Sequence, residues 1–184
     1  MGLFGKIFHL FLSRYIEYAK MYKLNLSNYS FDFGLKENNN FIFKMLDKND
    51  FDKLSYLYQN NHDKLKSVKS RLNSGNFLCF SYMDNENQVI VYARWICKKQ
   101  YYSYVLKKEL KFKENQALTL DSWTHPKYRG LGLHRNMNIQ MLNWLKQNTA
   151  ITEVYMVIKC FIPHLTKIPI QLGYKPIKTY FHLK

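Results

Sequence analysis

One stretch of the sequence, residues 118–137, joins a strand pattern to a helix pattern through a turn that contains two glycines. The strand pattern over residues 118–124 alternates, which predicts two faces: Leu118, Leu120 and Ser122 on one, and Thr119, Asp121 and Trp123 on the other. After Pro126, Gly130 and Gly132 directly precede an apolar helical stripe at positions 133, 137, 141 and 144. This order of strand, turn and helix constrains the fold more than any other part of the chain.

A glycine turn at a helix N-terminus is suited to bind an anion. The first backbone N–H groups of a helix have no intrahelical partner, and the helix dipole adds about half a positive charge there. Glycine also lets the backbone approach a phosphate without a Cβ atom in between. Dinucleotides and coenzyme A are the two candidate ligands. The dinucleotide fingerprint requires a third glycine where this sequence has Arg135.

The turn resembles the coenzyme A loop of the GCN5-related N-acyltransferases (GNAT family), which reads Gln/Arg-x-x-Gly-x-Gly/Ala. The segment Arg129-Gly-Leu-Gly-Leu-His134 matches the first and fourth positions and departs at the sixth, where His134 replaces a small residue. The lead-in Pro126-Lys-Tyr-Arg-Gly130 and the late Leu172-Gly-Tyr174 are also similar to that family. The resemblance runs from about Phe41 to the C-terminus, about three quarters of the chain.

The fold that the resemblance implies is α+β, with a mixed, mostly antiparallel central sheet between helices in three layers. We predict a GNAT-like acyltransferase domain over residues 41–184. The periodicity supports strands at 41–46, 77–83, 89–97, 118–124, 153–158 and 177–183, and helices after Asp47, at 62–73 and after Gly132. Residues 101–112 fit either a third antiparallel strand or an inserted hairpin arm. Residues 163–172 fit a short helix or an irregular turn.

Residues 1–40 lie outside the resemblance, and we predict that they form an N-terminal amphipathic helix and a connection. The helical pattern covers residues 2–23, with aromatic and aliphatic side chains on one side. It fits a helix packed on the domain, or an interfacial helix in peripheral contact with a membrane. Residues 25–40 are a polar connection that includes a short strand around residues 29–33.

Composition narrows the class of protein. With 47% hydrophobic and 17% aromatic residues the chain is a folded domain. Its net charge of +15 fits a basic surface or an anionic ligand. The charge and the many tyrosines also suggest nucleic-acid binding as a third hypothesis. No nucleic-acid motif is present and the lysines are scattered, so we expect no nucleic-acid partner. Cys79, Cys97 and Cys160 have no metal spacing, which indicates reduced core cysteines in a cytoplasmic protein, with the inner membrane face as a peripheral location.

The reaction that the resemblance implies is direct transfer of an acyl group, usually acetyl, from coenzyme A to an amine. Acetyl-CoA is then the co-substrate, and no metal is expected. The strand before the loop is expected to splay from its neighbour, and its end contacts the pantetheine chain. The predicted coenzyme-binding residues are Trp123, Thr124, Arg129, Gly130, Leu131, Gly132, Leu133 and His134. We expect the side chain of His134 on the helix surface.

Asp121 and His125 are the predicted catalytic residues. A carboxylate on an otherwise uncharged strand is costly to bury unless it is paired, and groups placed in that way often carry function. Asp121 is therefore predicted to bind the amine or to take its proton, with a structural hydrogen-bonding role as the alternative. His125 precedes Pro126, and its alternative is to cap the turn.

One departure from the family bears on activity. The family often has a tyrosine, four residues before the terminal glycine, that protonates the departing thiolate, and here Pro169 stands at that position. Tyr155 and Tyr174 are candidate substitutes, although a thiol with a pKa of about 8.5 leaves without strong acid assistance. The alternative is a GNAT-fold protein that binds coenzyme A or a protein partner without turnover. For the enzyme, the lead-in from Asp121 to His134 resembles that of bacterial GNAT proteins of surface-polysaccharide and amino-sugar pathways. This resemblance implies a small-molecule amine as acceptor, above all an amino sugar, while a protein or polyamine acceptor stays open.

Overall fold

The computed structural model describes residues 16–29, 39–58, 61–159 and 163–183. The strands in this part of the chain are β1 (Ile16–Asn25), β2 (Phe41–Leu46), β3 (Phe77–Asp84), β4 (Ile90–Cys97), β5 (Gln100–Ser103), β6 (Lys108–Lys111), β7 (Gln116–Thr124), β8 (Glu153–Lys159) and β9 (Lys175–Leu183). The helices are α1 (Phe51–Leu57), α2 (His62–Asn73), α3 (Leu133–Asn148) and α4 (Pro163–Gln171). Within the described residues, no helix is long and apolar enough to cross a membrane.

Seven strands form one sheet in the order β2-β3-β4-β7-β8-β1-β9, and β5 and β6 form a separate hairpin. All neighbours in the large sheet are antiparallel except β7 and β8, which run parallel. Helix α3 connects these two strands, as a parallel crossover requires. The prediction of a mixed, mostly antiparallel sheet between helices is confirmed, and residues 101–112 are a hairpin rather than a further strand of the sheet.

Local capping explains where the helices start. Asp47 accepts a hydrogen bond from the backbone N–H of Asn49 (2.7 Å), while Asp50 accepts one from the N–H of Asp47 (3.2 Å). This capping box precedes a short 3₁₀ turn that leads into α1. Asn61 caps α2 by accepting a hydrogen bond from the N–H of Lys64 (2.9 Å). The predicted starts of both helices are confirmed.

The core lies on both faces of the sheet. Helix α3 covers one face, where Met137 and Leu142 pack with Phe80 and Tyr92. Helices α1 and α2 cover the other face over β3 and β4, where Trp95 is fully buried. The β5–β6 hairpin covers that same face over β1, β7 and β8. Since both faces are covered, the central strands are apolar on both sides.

The prediction of one helix over residues 2–23 is wrong for the part that the structure describes. Residues 16–25 form β1, which pairs with β8 on one side and with β9 on the other. Its side chains alternate between the two covered faces: Ala19 and Met21 lie on the hairpin side, and Tyr22 and Leu24 lie on the α3 side. Because both faces of β1 carry apolar side chains, its sequence does not alternate between apolar and polar residues. The helical period therefore fitted the sequence equally well.

This strand lies N-terminal to residue 41, in the segment that the sequence assigned to an amphipathic helix and a connection. The part of the predicted interfacial helix that it replaces is held inside the sheet. Residues 2–15 of that prediction lie outside the described residues, as does most of the predicted strand around residues 29–33. Cys79 and Cys97 are free and buried, as predicted, and Cys160 is outside the described residues.

Candidate functional site

A cleft opens where the two parallel strands of the sheet separate. Strands β7 and β8 pair only from Gln116 to Thr119 and from Glu153 to Met156, although both strands continue further. The cleft encloses about 410 Å³ and is lined by both strands, by Arg94 and His134, and by residues of the β5–β6 hairpin. The splaying that the family resemblance implies is therefore present, and it leaves one edge of β7 unpaired from Leu120 onward.

A β-bulge changes which side chains of β7 face the α1/α2 side of the sheet. Ile96 pairs with Thr119 and Arg94 pairs with Ser122, so two residues of β7 lie opposite the single residue Trp95. The alternation predicted for residues 118–124 is therefore wrong beyond Leu120. Asp121 is on the same face as Leu118 and Leu120, not on the opposite one. Both Leu120 and Asp121 line the cleft.

Asp121 is held by two cations of α2. Its Oδ2 atom accepts a hydrogen bond from Lys64 Nζ (2.8 Å) and lies 3.0 Å from Arg71 Nη1. The Arg71 guanidinium also lies 5.5 Å from the ring of Trp95. Burial alone would raise the pKa of Asp121, but the hydrogen bond from Lys64 and the charge of Arg71 outweigh it and lower the pKa. The carboxylate is thus ionised at neutral pH, and within the described residues its Oδ1 atom has no hydrogen-bond partner.

The predicted phosphate-binding turn has the expected backbone. Gly130 and Gly132 have φ angles of +83° and +73°, which other residues adopt only with strain. A Cβ atom built on either glycine meets no other atom within 4 Å, so the space above the turn is open. The N–H groups of Arg135 and Asn136 both donate to Gly132 O, and those of residues 130–134 have no acceptor in the described part of the chain. These N–H groups are free to bind an anion.

The turn is fixed from both ends. The Tyr128 hydroxyl donates a hydrogen bond to Asp84 Oδ2 (2.8 Å), which ties the turn to the end of β3. Leu133 is buried in the core at the start of α3. Arg129 lies between the turn and the end of β7, with its guanidinium 5.9 Å from the Trp123 ring and its Nε donating to Thr124 O (3.4 Å). The turn is therefore preorganised, with Leu131 exposed at its tip.

His134 lies inside the cleft, and the prediction of a surface histidine is wrong. Its Nδ1 atom is 2.8 Å from the hydroxyl of Tyr92, a fully buried residue of β4. Burial, with a smaller contribution from the charge of Arg94, lowers the pKa of His134 to about 3. The imidazole is therefore neutral and cannot supply charge to a phosphate. Its size is accommodated because it points inward to Tyr92.

The other predicted residues lie beside the cleft rather than in it. His125 stacks on Tyr56, with ring centroids 6.0 Å apart, and its Nδ1 atom accepts a hydrogen bond from the N–H of Lys127 (3.4 Å). This is the capping role that the sequence offered as its alternative. Trp123 and Thr124 pair with β4 and lead from the cleft to the turn. Neither residue pairs with β8, and Thr124 O accepts the hydrogen bond from Arg129.

Several residues of the site were missed in the sequence. Tyr101, Ser103 and Tyr104 of the hairpin line the cleft, and so does Arg94 of β4. Arg94 could have been found by the argument used for Asp121, because it is the charged residue within an apolar strand run. The hairpin residues carried no local signal, since their position depends on packing over β7 and β8.

The two tyrosines proposed as substitutes for the missing acid differ in position. Tyr155 donates a hydrogen bond to Glu153 (2.8 Å), and burial and Glu153 raise its pKa to about 12. Tyr174 is buried next to α3, and its hydroxyl has no hydrogen-bond partner within the described chain. Neither lines the cleft. Pro169 is buried in α4. Among the described residues, no group of three or more His, Cys, Asp or Glu could hold a metal.

Comparison with known proteins gives structural matches only. No family model matches the sequence, and no curated protein matches it significantly. A tandem GNAT protein from the clavulanic acid biosynthesis pathway aligns with a TM-score of 0.63 at 10% identity, over 100% of this chain and 59% of that one. A GCN5-related glucosamine N-acetyltransferase region of a fungal multi-domain β-N-acetylglucosaminidase aligns with a TM-score of 0.67 at 14% identity, over 98% and 23%.

An aminoglycoside acetyltransferase from an uncultured soil metagenomic sample, in complex with trehalose, aligns with a TM-score of 0.54 at 16% identity, over 80% of this chain and 99% of that one. A functionally unknown conserved protein from Staphylococcus epidermidis aligns with a TM-score of 0.59 at 11% identity. The chain spans 65% of that protein's length and 59% of the tandem protein's. At these identities the likeness is one of fold, and the chain has the fold of the GCN5-related N-acetyltransferases.

Proposed function

We propose that this protein transfers an acetyl group from acetyl-CoA directly to a primary amine. The observation that carries the proposal is the continuity of two features: the open glycine turn at the start of α3 and the cleft between β7 and β8. A coenzyme A thioester has a diphosphate at one end and a reactive carbonyl at the end of a long arm. The turn suits the first and the cleft suits the second.

The chain's own groups divide the work of binding the thioester. The backbone N–H groups of residues 130–134 bind the diphosphate, helped by the helix dipole. The unpaired edge of β7 at Trp123 and Thr124 offers backbone donors and acceptors to the pantetheine arm. At the bulge, Leu120 and Asp121 leave the regular ladder, so a backbone N–H there is available to polarise a carbonyl.

Asp121 is assigned to the amine rather than to proton removal. Its pKa is held below the usual value, so it is a weak base at neutral pH but a stable anion. With Oδ2 held by Lys64 and Arg71, Oδ1 can accept a hydrogen bond from the ammonium group of the acceptor. That group loses a proton to solvent, and the neutral amine then attacks the thioester carbonyl as the coenzyme A thiolate leaves. Burial and the charge of Asp121 raise the pKa of Tyr101 in the same cleft, so its hydroxyl stays protonated as a donor. The predicted catalytic role of His125 is not part of the proposal.

The acceptor is proposed to be a small amine, with an amino sugar first. Exposed aromatic rings include Tyr104, which lines the cleft, and Trp123 and Tyr56, which lie near the end of β7. Such rings offer flat apolar faces with polar edges, which suit a sugar ring. Two of the structural matches are a glucosamine N-acetyltransferase region and an aminoglycoside acetyltransferase.

A thiol-release assay tests this function. Acetyl-CoA is incubated with the protein and pools of amino sugars, aminoglycosides, polyamines and amino acids, and free thiol is measured. Release that depends on both protein and amine is expected from the amino-sugar pools. Absence of release from every pool, with acetyl-CoA still bound, contradicts turnover.

The second candidate is a GNAT-fold protein that binds coenzyme A or a protein partner without turnover. The observation in its favour is Pro169, which is buried in α4 where the family often has a proton-donating tyrosine. Proline has no hydroxyl group, so it cannot donate the proton that the tyrosine donates. Binding of acetyl-CoA with the same affinity as coenzyme A and no thiol release is the result this candidate predicts.

A further inference from the structure

Arg94 places a buried positive charge in the cleft. The residue is 4% exposed, and its side chain forms part of the cleft wall. A guanidinium remains protonated in proteins, so burial cannot neutralise it. A charge in such a place is costly unless a partner of opposite charge compensates it.

The described part of the chain does not provide that partner. No carboxylate in it lies within ion-pair distance of Arg94, and the buried Nε atom has no hydrogen-bond partner. The neighbouring Tyr92 hydroxyl is neutral, because burial raises its pKa. The carboxylate on the cleft wall, Asp121, is already held by Lys64 and Arg71.

Arg94 faces the side of the sheet from which the phosphate-binding turn projects. Along β4, Tyr92 and Ile96 pack with α3, whereas Trp95 packs with α1 and α2. Arg94 therefore lies on the α3 side, and its charge contributes to the low pKa of His134 at the start of α3. Asp121 lies on the opposite face. A molecule with its phosphates in the turn would reach Arg94 with the part that enters the cleft.

We infer that the cleft binds a carboxylate at Arg94, and that this carboxylate is the far end of a dicarboxylic acyl group carried on coenzyme A. The inference rests on the proposed function and extends its donor from acetyl to the succinyl class. A planar guanidinium matches a carboxylate in charge and geometry. The phosphates of the coenzyme are taken by the turn. The apolar walls at Met156, Ile158 and Ile168, on the α3 side, suit the methylene groups of the acyl chain.

Calorimetric titration with succinyl-CoA and butyryl-CoA tests the inference, because the two acyl chains have the same length and differ in the terminal carboxylate. The wild-type protein is expected to bind succinyl-CoA about 10- to 100-fold more tightly, as for a hydrogen bond to a charged group. Arg94→Gln should remove that preference and leave the affinity for butyryl-CoA and free coenzyme A. The matched control Arg135→Gln changes an exposed arginine in the first turn of α3 and should keep the preference.

Ligand-free stability provides a readout that does not depend on binding. If the charge of Arg94 is compensated only by a bound ligand, it does not stabilise the ligand-free fold. Arg94→Gln should then be at least as stable as the wild type in urea. A clear loss of stability instead assigns Arg94 a structural role and overturns the inference. Equal wild-type affinities for the two thioesters overturn it while leaving the proposed function in place. If neither thioester nor free coenzyme A binds, both fail together.

Discussion

Lys64 Nζ of α2 lies 2.8 Å from Asp121 Oδ2 of β7, and this contact joins the helical layer to the strand that forms the cleft. Arg71, one side of whose guanidinium packs on aromatic rings, approaches the same oxygen at 3.0 Å. We therefore assign Asp121 two roles, a structural one in its ion pair with α2 and a chemical one in binding the amine. The two roles can be measured separately.

The structural part is a coupling between Asp121 and Arg71. The Arg71 side chain is only 11% exposed, so loss of its partner leaves a poorly hydrated cation. A double-mutant cycle with Asp121→Asn and Arg71→Gln in urea is expected to give a coupling energy of about 1–2 kcal/mol. The exposed pair Lys111–Glu109 is the control and should give a value near zero. Coupling at Asp121 no larger than in the control would contradict the assignment.

The chemical part is binding of the amine. Asp121→Asn should raise the KM for the amine about tenfold or more, since a charge-assisted hydrogen bond is lost, and should leave acetyl-CoA affinity unchanged. Initial rates with the amine found by thiol release provide the measurement. Glu109→Gln, an exposed carboxylate of the hairpin, is the control. An unchanged KM with a lower kcat would return Asp121 to the role of base.

The low pKa of Asp121 predicts that kcat/KM does not fall between pH 7 and pH 5 through protonation of this residue. The pKa of Asp121 is lowered below the ordinary aspartate value of about 3.9, so protonation cannot remove its charge between pH 5 and 7. A wild-type kcat/KM that falls near pH 6 through a group absent in Asp121→Asn would contradict the ion pair.

His134 predicts a loss of stability in mild acid. Its folded pKa of about 3 is below the ordinary value of about 6.5, so only the unfolded chain takes up the proton as the pH falls from 6.5 toward 3. Stability is complete above pH 6.5, and at pH 5 the loss is up to about 2 kcal/mol. Urea unfolding at pH 7 and pH 5 should show a smaller difference in His134→Gln than in wild type. His62→Gln, at an exposed histidine, should keep the wild-type difference.

Strand β1 predicts that the N-terminal segment cannot be removed as a unit. Deletion of residues 1–23 takes away most of a strand that pairs with both β8 and β9, including Lys23, which bonds Glu153. The truncated chain should lose cooperative thermal unfolding measured by circular dichroism. A truncated protein that unfolds cooperatively near the wild-type temperature would contradict the position of β1.

What the sequence predicted correctly was local. The cap at Asp47, the start of α2, the paired glycines and the stripe on α3 depend on neighbours within a few positions, and all were found. The bulge at Leu120 and Asp121 was missed because it depends on the register against β4. Strand β1 was missed because its partner strands are distant in sequence, as in the pair Lys23 and Glu153, which are 130 positions apart.

In the candidate site, too, local features were predicted from the sequence and features assembled from distant segments were not. The proposed phosphate-binding turn was predicted from six consecutive residues, whereas the cleft is assembled from β4, β7, β8 and the hairpin. Asp121 was singled out as a charge in an uncharged strand, and Arg94 carries the same signal in β4. The inward position of His134 depends on Tyr92, which lies 42 positions earlier in the chain. No spacing rule connects them.

Binding of acetyl-CoA to the turn is the most direct test of the central claim, measured by thermal shift and calorimetry on the wild type, Gly132→Val and Gly75→Val. Both glycines have positive φ angles and open surroundings, so the two variants carry similar strain, but only Gly132 lies in the turn. Acetyl-CoA at a hundred times its Kd should stabilise the wild type and Gly75→Val by about 2.7 kcal/mol and leave Gly132→Val unshifted. No shift of the wild type with millimolar acetyl-CoA or coenzyme A, or wild-type binding by Gly132→Val, would contradict the claim.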